Sequence, residues 1–131
     1  MTTVLYAEDD IDDFNLFCEV LESIKSTIKC INARNGREAL QFLENASVLP
    51  DFVFIDINMP AMDGKACLKS IKKDGRFKSI PVIIYTTNKN PLDKELCMQL
   101  GAVDYLMKPN TMSAAAKTLQ KYFGELIPHR L

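Results

Sequence analysis

Apolar residues along the chain follow two rhythms. Five short segments are apolar and rich in β-branched and aromatic residues: "TVLYA" (3–7), "IKCIN" (28–32), "FVFID" (52–56), "VIIYT" (82–86) and "VDYLM" (103–107). Runs of this length and composition predict strands. The third and fourth are nearly continuous, as in strands covered on both faces. The second is more mixed and suits a sheet edge. Between them the spacing becomes helical. From about Ile11 to Ser26, Phe14, Phe17, Cys18, Leu21 and Ile24 fall on one side. From about Gly36 to Asn45, Ala39, Leu40 and Leu43 fall together, and a third helix starts at Gly64 with Cys67, Leu68 and Ile71. A fourth follows Asn90-Pro91, with Leu96, Cys97 and Leu100 facing inward, and Gly101 ends it as a left-handed cap. The last runs from about Thr111 to Leu126 with Ala115, Leu119, Tyr122, Phe123 and Leu126.

Five strand–helix alternations predict an α/β fold, a parallel sheet with helices on both faces. Right-handed crossovers reduce the topology to a few choices. The length of 131 residues suggests one domain over 1–131, with a core of about 3–126 and a short tail, 127–131. No repeat, linker or second domain is expected.

Composition narrows the class. Hydrophobic residues make up 47% and charged residues 25%, a soluble globular profile. The net charge of −1 gives no electrostatic footprint for nucleic acid. The basic run "KSIKKDGRFK" (69–78) reads as a solvated helix face. No apolar run approaches the roughly 18 residues of a membrane span, and the N-terminus lacks the features of a signal peptide. Cysteines 18, 30, 67 and 97 form no C-x-x-C pair and fit apolar patterns, and His129 is the single histidine, so a zinc site is not expected. These features predict a reduced, cytoplasmic protein.

Ligands of open α/β sheets bind beyond the carboxyl ends of the strands, so the residues that end each strand carry the functional signal. The first strand ends in Glu8-Asp9, the third in Asp56, the fourth in Thr86, and the fifth runs into Lys108-Pro109. Acids, a hydroxyl and an ammonium thus reach one rim from four strands. Three carboxylates in one pocket need a counter-charge. Mg²⁺ takes one or two carboxylates, keeps waters and leaves room for a phosphate oxygen. A lysine is a point charge suited to phosphate, and a carboxylate can attack phosphorus to form an aspartyl phosphate.

Taken singly, most of these residues also have plainer readings. Glu8 and Asp9 fit a charged loop before a helix as well as a binding pair. Asp10 fits an N-cap, and Asp12 and Asp13 fit a first turn, where the helix dipole favours anions. Thr86 and Tyr105 fit ordinary strand positions, and Lys108 fits a loop lysine. Asp56 is different, because an unpaired carboxylate at the end of an apolar strand is costly. Phosphate-loop, dinucleotide and nucleophile-elbow motifs are absent, and the lone histidine argues against a His-based triad.

"VLYAEDD", "FIDINMPAMDG", "PVIIYTT" and "GAVDYLMKP" together resemble the CheY-like receiver domains of two-component response regulators, in that family's order and spacing over roughly residues 3–126. The resemblance implies a flavodoxin-like sheet of order 2-1-3-4-5. It implies that Asp56 is the phosphoacceptor and that Glu8 and Asp9 bind Mg²⁺, with Asp9 the more direct ligand. It gives the Asn58 backbone carbonyl to the metal, makes Thr86 the switch hydroxyl and pairs Lys108 with acceptor and phosphate. Tyr105 becomes the aromatic whose rotamer follows activation, and Met59, Pro60, Asp63 and Gly64 shape the loop after the acceptor. Lys108-Pro109 resembles the family's cis peptide. Thr87 stands where the family usually has a smaller residue, and Asn58 and Asn88 hold the positions that tune dephosphorylation.

The resemblance implies a stand-alone phosphorylatable switch that takes its phosphoryl group from a sensor histidine kinase or phosphotransfer protein. Its output surface would be the fourth helix, fifth strand and fifth helix, where Lys89, Lys94, Lys117 and Lys121 fit a partner patch and a solvated surface equally. Neither nucleic acid nor membrane is expected as a direct partner. A flavin carrier shares the fold but not this acid–hydroxyl–lysine set. A phosphatase working through an aspartyl phosphate usually has a second acid where Asn58 stands.

Overall fold

In the computed structural model, which describes residues 2–59 and 62–123, strands and helices alternate throughout. The strands are β1 (Thr2–Ala7), β2 (Ile28–Ala33), β3 (Phe52–Ile55), β4 (Val82–Thr86) and β5 (Asp104–Met107). The helices are α1 (Ile11–Ile24), α2 (Gly36–Asn45), α3 (Gly64–Lys73), α4 (Pro91–Leu100) and α5 (Met112–Phe123). The strands form one parallel sheet in the order β2-β1-β3-β4-β5. Leu126, Pro60 and the tail 127–131 lie outside the described residues.

The apolar runs of β3 and β4 are buried at every position, and β2 is a mixed edge. Alternate strand residues feed two cores. Leu5, Val53, Ile55 and Ile84 pack with α2 and α3 on one face. Val4, Tyr6, Phe54, Ile83 and Tyr85 pack with α1 and α5 on the other. Each fully buried Leu or Ile contributes roughly 1.5–3 kcal/mol, so the sheet is held from both sides and its carboxyl rim is a rigid platform.

The helices begin where their side chains permit. Asp10 caps α1 by accepting from the N–H groups of Asp12 and Asp13. Asn35, Asp63 and Asn90 cap α2, α3 and α4 in the same way. Gly101 closes α4 at φ 111°, a left-handed conformation that glycine adopts without strain. Two expectations need correction. Leu96 is 40% exposed, because the inner row of α4 is Asp93, Cys97 and Leu100, and Leu96 stands about a quarter turn away. The Lys108–Pro109 peptide is trans, the isomer that even an X–Pro bond prefers by about 0.5–1 kcal/mol.

Candidate functional site

Four strands deliver their last residues to the carboxyl rim in the spatial order β1, β3, β4, β5. Asp56 follows β3 and continues its ladder, its N–H donating to the Ala7 carbonyl at 3.0 Å. Glu8 follows β1 and donates its N–H to the Ala33 carbonyl at 2.8 Å. Lys108 follows β5 and donates its N–H to the Thr86 carbonyl at 2.8 Å. Backbone pairing therefore fixes where each side chain starts.

The carboxylate of Asp56 is buried, and its two oxygens have different partners. Oδ1 accepts the Thr86 hydroxyl at 2.8 Å and the Asn58 N–H at 3.2 Å. Oδ2 accepts from Lys108 Nζ at 3.0 Å. The same ammonium donates to Glu8 Oε1 and to Asp13 Oδ2, the latter at 3.3 Å. One cation thus gathers three carboxylates from β1, α1 and β3.

Glu8 is 1% exposed, and its Oε1 accepts from Lys108. The Tyr6 hydroxyl lies 3.4 Å from Oε1 and donates to the Tyr85 carbonyl at 3.3 Å. Asn32 Nδ2 holds the Glu8 backbone carbonyl at 3.0 Å. Burial pushes the Glu8 carboxyl up to about 7, reinforced by the Asp56 charge and the neighbouring Asp9, while Lys108 pulls it down. Burial also works against the charge on Lys108, but Glu8 and Asp56 outweigh it and hold the ammonium above its ordinary range. The two directions compete, since a neutral Glu8 would attract Lys108 less. Lys108 is charged in either case, because Asp56 also contacts it.

The loop after Asp56 depends on a glycine. A Cβ on Gly64 would lie 2.4 Å from the Asp56 carbonyl oxygen and 2.7 Å from Ile57 Cα. Without that side chain, the Gly64 N–H reaches the Ile57 carbonyl at 2.9 Å and α3 seats directly beneath the acid. Met59 is buried in the same loop. Asn58 and Thr87 are exposed.

From Asp56 a chain of hydrogen bonds leads outward. Thr86 Oγ1 accepts the Asn88 N–H at 3.2 Å, and the Asn88 carbonyl accepts the Tyr105 hydroxyl at 2.8 Å, with the Tyr105 ring buried. The Asn88 amide donates to Asp93 Oδ2 at 3.0 Å, and Asp93 pairs with Lys65 at 2.9 Å. Thr86 and Tyr105 are joined through hydrogen bonds to Asn88.

The sequence-expected residues Glu8, Asp56, Thr86 and Lys108 are brought together, with Asn58 contributing its N–H. Asp9 lies exposed beside Glu8. Sequence reasoning missed Asp13 as a partner of Lys108, Tyr6 and Asn32 beneath Glu8, and Asp93. The signal for Asp13 was its place in the first turn of α1, above the rim. Among the described residues, no three acidic, His or Cys side chains are gathered tightly enough to enclose a metal ion. The donors nevertheless suit a hard cation that keeps most of its water, since they are carboxylate oxygens already gathered round one positive charge.

The family model for the response regulator receiver domain matches residues 4–120. The polar-differentiation response regulator DivK of Brucella anthropi is 31% identical over 123 residues, which cover 94% of this chain and 97% of that one. Some curated relatives are longer: the sensor histidine kinase CheAY of Helicobacter pylori is 31% identical over 106 residues, 81% of this chain but 13% of its own length. Among solved structures, the Mn(2+)-bound form of the response regulator Rcp1 superposes with a TM-score of 0.86 at 28% identity, covering 97% of both chains. With the 2-1-3-4-5 sheet and the matched span in hand, the chain belongs to the response regulator receiver domain family of two-component signalling.

Proposed function

We propose that this chain is a single receiver domain over residues 1–131 that accepts a phosphoryl group on Asp56 from a phosphohistidine of a sensor histidine kinase or phosphotransfer protein. The observation that supports this most directly is the division of labour at Asp56. Thr86 and Asn58 hold Oδ1 while Lys108 neutralises Oδ2, so the carboxylate is oriented as a nucleophile in a buried setting. An Asp56 oxygen attacks phosphorus, the bond to the imidazole nitrogen breaks, and the histidine leaves with the electron pair. Lys108 and the Thr86 hydroxyl then bond the phosphoryl oxygens and offset their charge. Glu8, Asp9, Asp56 and the Asn58 carbonyl would hold a divalent cation, Mg²⁺ in the cell, which neutralises phosphoryl charge when bound. The site thus assists its own phosphorylation and dephosphorylation.

Withdrawal of Thr86 toward the phosphoryl group loosens its bond to Asn88 and through it the hold on Tyr105. That shifts a two-state surface on α4, β5 and α5, the face offered to a protein target. No helix among the described residues is long and apolar enough to cross a membrane, and we place the protein in the cytoplasm with its kinase, without direct contact to nucleic acid or membrane. Incubation with Mg²⁺ and acetyl phosphate, followed by intact mass, should show one added phosphoryl group that Asp56→Asn abolishes. An adduct that persists in Asp56→Asn would overturn the assignment.

A further inference from the structure

The residue that joins Thr86 to Tyr105 is itself tied down from outside the phosphoacceptor site. Asn88 donates its N–H to Thr86 Oγ1 at 3.2 Å and accepts the Tyr105 hydroxyl on its backbone carbonyl at 2.8 Å. Its side chain is bonded at both ends. Oδ1 accepts the Asn90 N–H at 2.8 Å, and Nδ2 donates to Asp93 Oδ2 of α4 at 3.0 Å. Asp93 uses its other oxygen, Oδ1, to accept from Lys65 Nζ at 2.9 Å. Lys65 follows Gly64 in the first turn of α3, and the Gly64 N–H is bonded to the Ile57 carbonyl at 2.9 Å. The ammonium therefore reaches out from a fixed point beside the phosphoacceptor loop. The side chains of Lys65 and Asp93 are 32% and 18% exposed, so water shields their attraction only in part. Lys65 and the Asn88 amide hold the Asp93 carboxyl below its ordinary range, which keeps it charged for both bonds.

We infer that Lys65 and Asp93 are positioning residues for the switch: through the Asn88 amide they latch Asn88 against Thr86 and Tyr105 and so favour the resting arrangement. The inference rests on the reading of Asp56 as the phosphoacceptor. At rest the Thr86 hydroxyl donates to Asp56 Oδ1 while it accepts from the Asn88 N–H. A phosphoryl group on Asp56 draws that hydroxyl away. Asn88 follows only by pulling its amide from Asp93, and otherwise the Thr86–Asn88 bond lengthens. Either way the latch adds to the cost of switching. The second oxygen of Asp93 separates this arrangement from an ordinary ion pair between two helices. A pair that served only to join α3 to α4 needs one carboxylate oxygen, and here the other is committed to the switch loop. Loss of a bond made only in the resting state raises the fraction of the competent state and tightens any ligand that selects it.

Lys65→Met, which keeps the apolar stem and removes the charge, and Asp93→Ala test the latch in the full chain. Without ligand, the Asn88 amide should exchange faster in both variants by about twofold to fivefold, the factor that a partly exposed ion pair supplies. Amides of β3 should keep their native rates, which a general loosening of the fold would not allow. With Mg²⁺ and beryllium fluoride, a mimic of the phosphoryl group on a carboxylate, both variants should bind the mimic more tightly by the same factor. Lys65→Arg keeps a cation beside Asp93 and should match the native chain in both measurements. Native exchange at Asn88 in the first two variants would overturn the latch, as would native or weakened affinity for the mimic. Lys65→Arg as altered as Lys65→Met would also overturn it. A native chain that takes no beryllium fluoride would overturn Asp56 as the acceptor instead, and exchange at Asn88 would still decide whether Lys65 and Asp93 hold the loop.

Discussion

At the residue scale, the site rests on contacts that tolerate little displacement. Gly64 needs no unusual φ, so an alanine there is not barred by backbone conformation. It is barred by the backbone of residues 56 and 57 itself, at 2.4 and 2.7 Å from a new Cβ. Overpacking of this kind typically costs about 1–3 kcal/mol. Gly64→Ala should lower stability in urea by that amount and slow phosphorylation by acetyl phosphate severalfold, because α3 can recede only by moving the Asp56 loop. Normal kinetics with normal stability would show that the loop is not fixed by this seat. The five acids of residues 8–13 divide in the same way. Asp10→Ala should cost about 1 kcal/mol as a lost N-cap, while Asp12→Ala, at an exposed first-turn position, should stay within about 0.5 kcal/mol. Urea titration of both distinguishes the cap from its neighbours. The places of Glu8, Asp56, Thr86 and Lys108 were legible in sequence because each interrupts an apolar run where a parallel strand must end. Asp13, Asn32 and Asp93 were not, because their roles depend on side chains reaching across elements that the sequence alone does not juxtapose.

At the element scale, strands and helices were legible because their periods differ, and buried β3 and β4 showed it most plainly. The α4 helix and its Gly101 cap were legible too, but not which residues face inward, since the stripe of Leu92, Leu96 and Leu100 lies to one side of the buried row. Its inner row includes Asp93, which is retained by Lys65 of α3 and the Asn88 amide. Those bonds hold its carboxyl below the ordinary range. Asp93→Ala should release the first turn of α4, measured as faster amide exchange there than in α3. The link between β5 and α5 carries a pH signature. Asp104 accepts from Lys121 at 2.8 Å and from the Tyr122 hydroxyl. Burial pushes its carboxyl up, but these bonds and the Tyr105 N–H prevail and hold it below its usual value. A depressed carboxylate contributes stability that is present above its unfolded pKa and lost as pH falls through the lower folded value. Unfolding titrations should therefore show the stability gap between the native chain and Asp104→Asn narrowing as pH drops below about 4. A gap that is constant from pH 3 to pH 6 would mean that the carboxylate charge is not what ties α5 down.

At the scale of the whole molecule, the rim exists only when five strands are in register. Glu8, Asp13 and Asp56 meet a single ammonium there and Asp9 lies exposed beside them, so the folded rim holds more negative than positive charge. In the unfolded chain these acids are separated by up to 48 residues and a cation gains little from any of them. A ligand that binds only the folded state stabilises it by RT ln(1 + [L]/Kd), about 2.7 kcal/mol at a hundredfold excess over Kd. Mg²⁺ should accordingly raise Tm in proportion to the logarithm of its concentration once it exceeds Kd, and chelation should reverse the shift. Sodium chloride at matched ionic strength should not reproduce it, since screening acts on all exposed charges alike. Asp9→Asn separates the two effects further, because Asp9 is exposed and its loss leaves the Lys108 contacts to Glu8 and Asp56 intact. That variant should fold with unchanged Tm in chelator and respond weakly to Mg²⁺. A full response in Asp9→Asn would remove Asp9 from the ligand set, and an equal response to sodium would remove the cation site altogether.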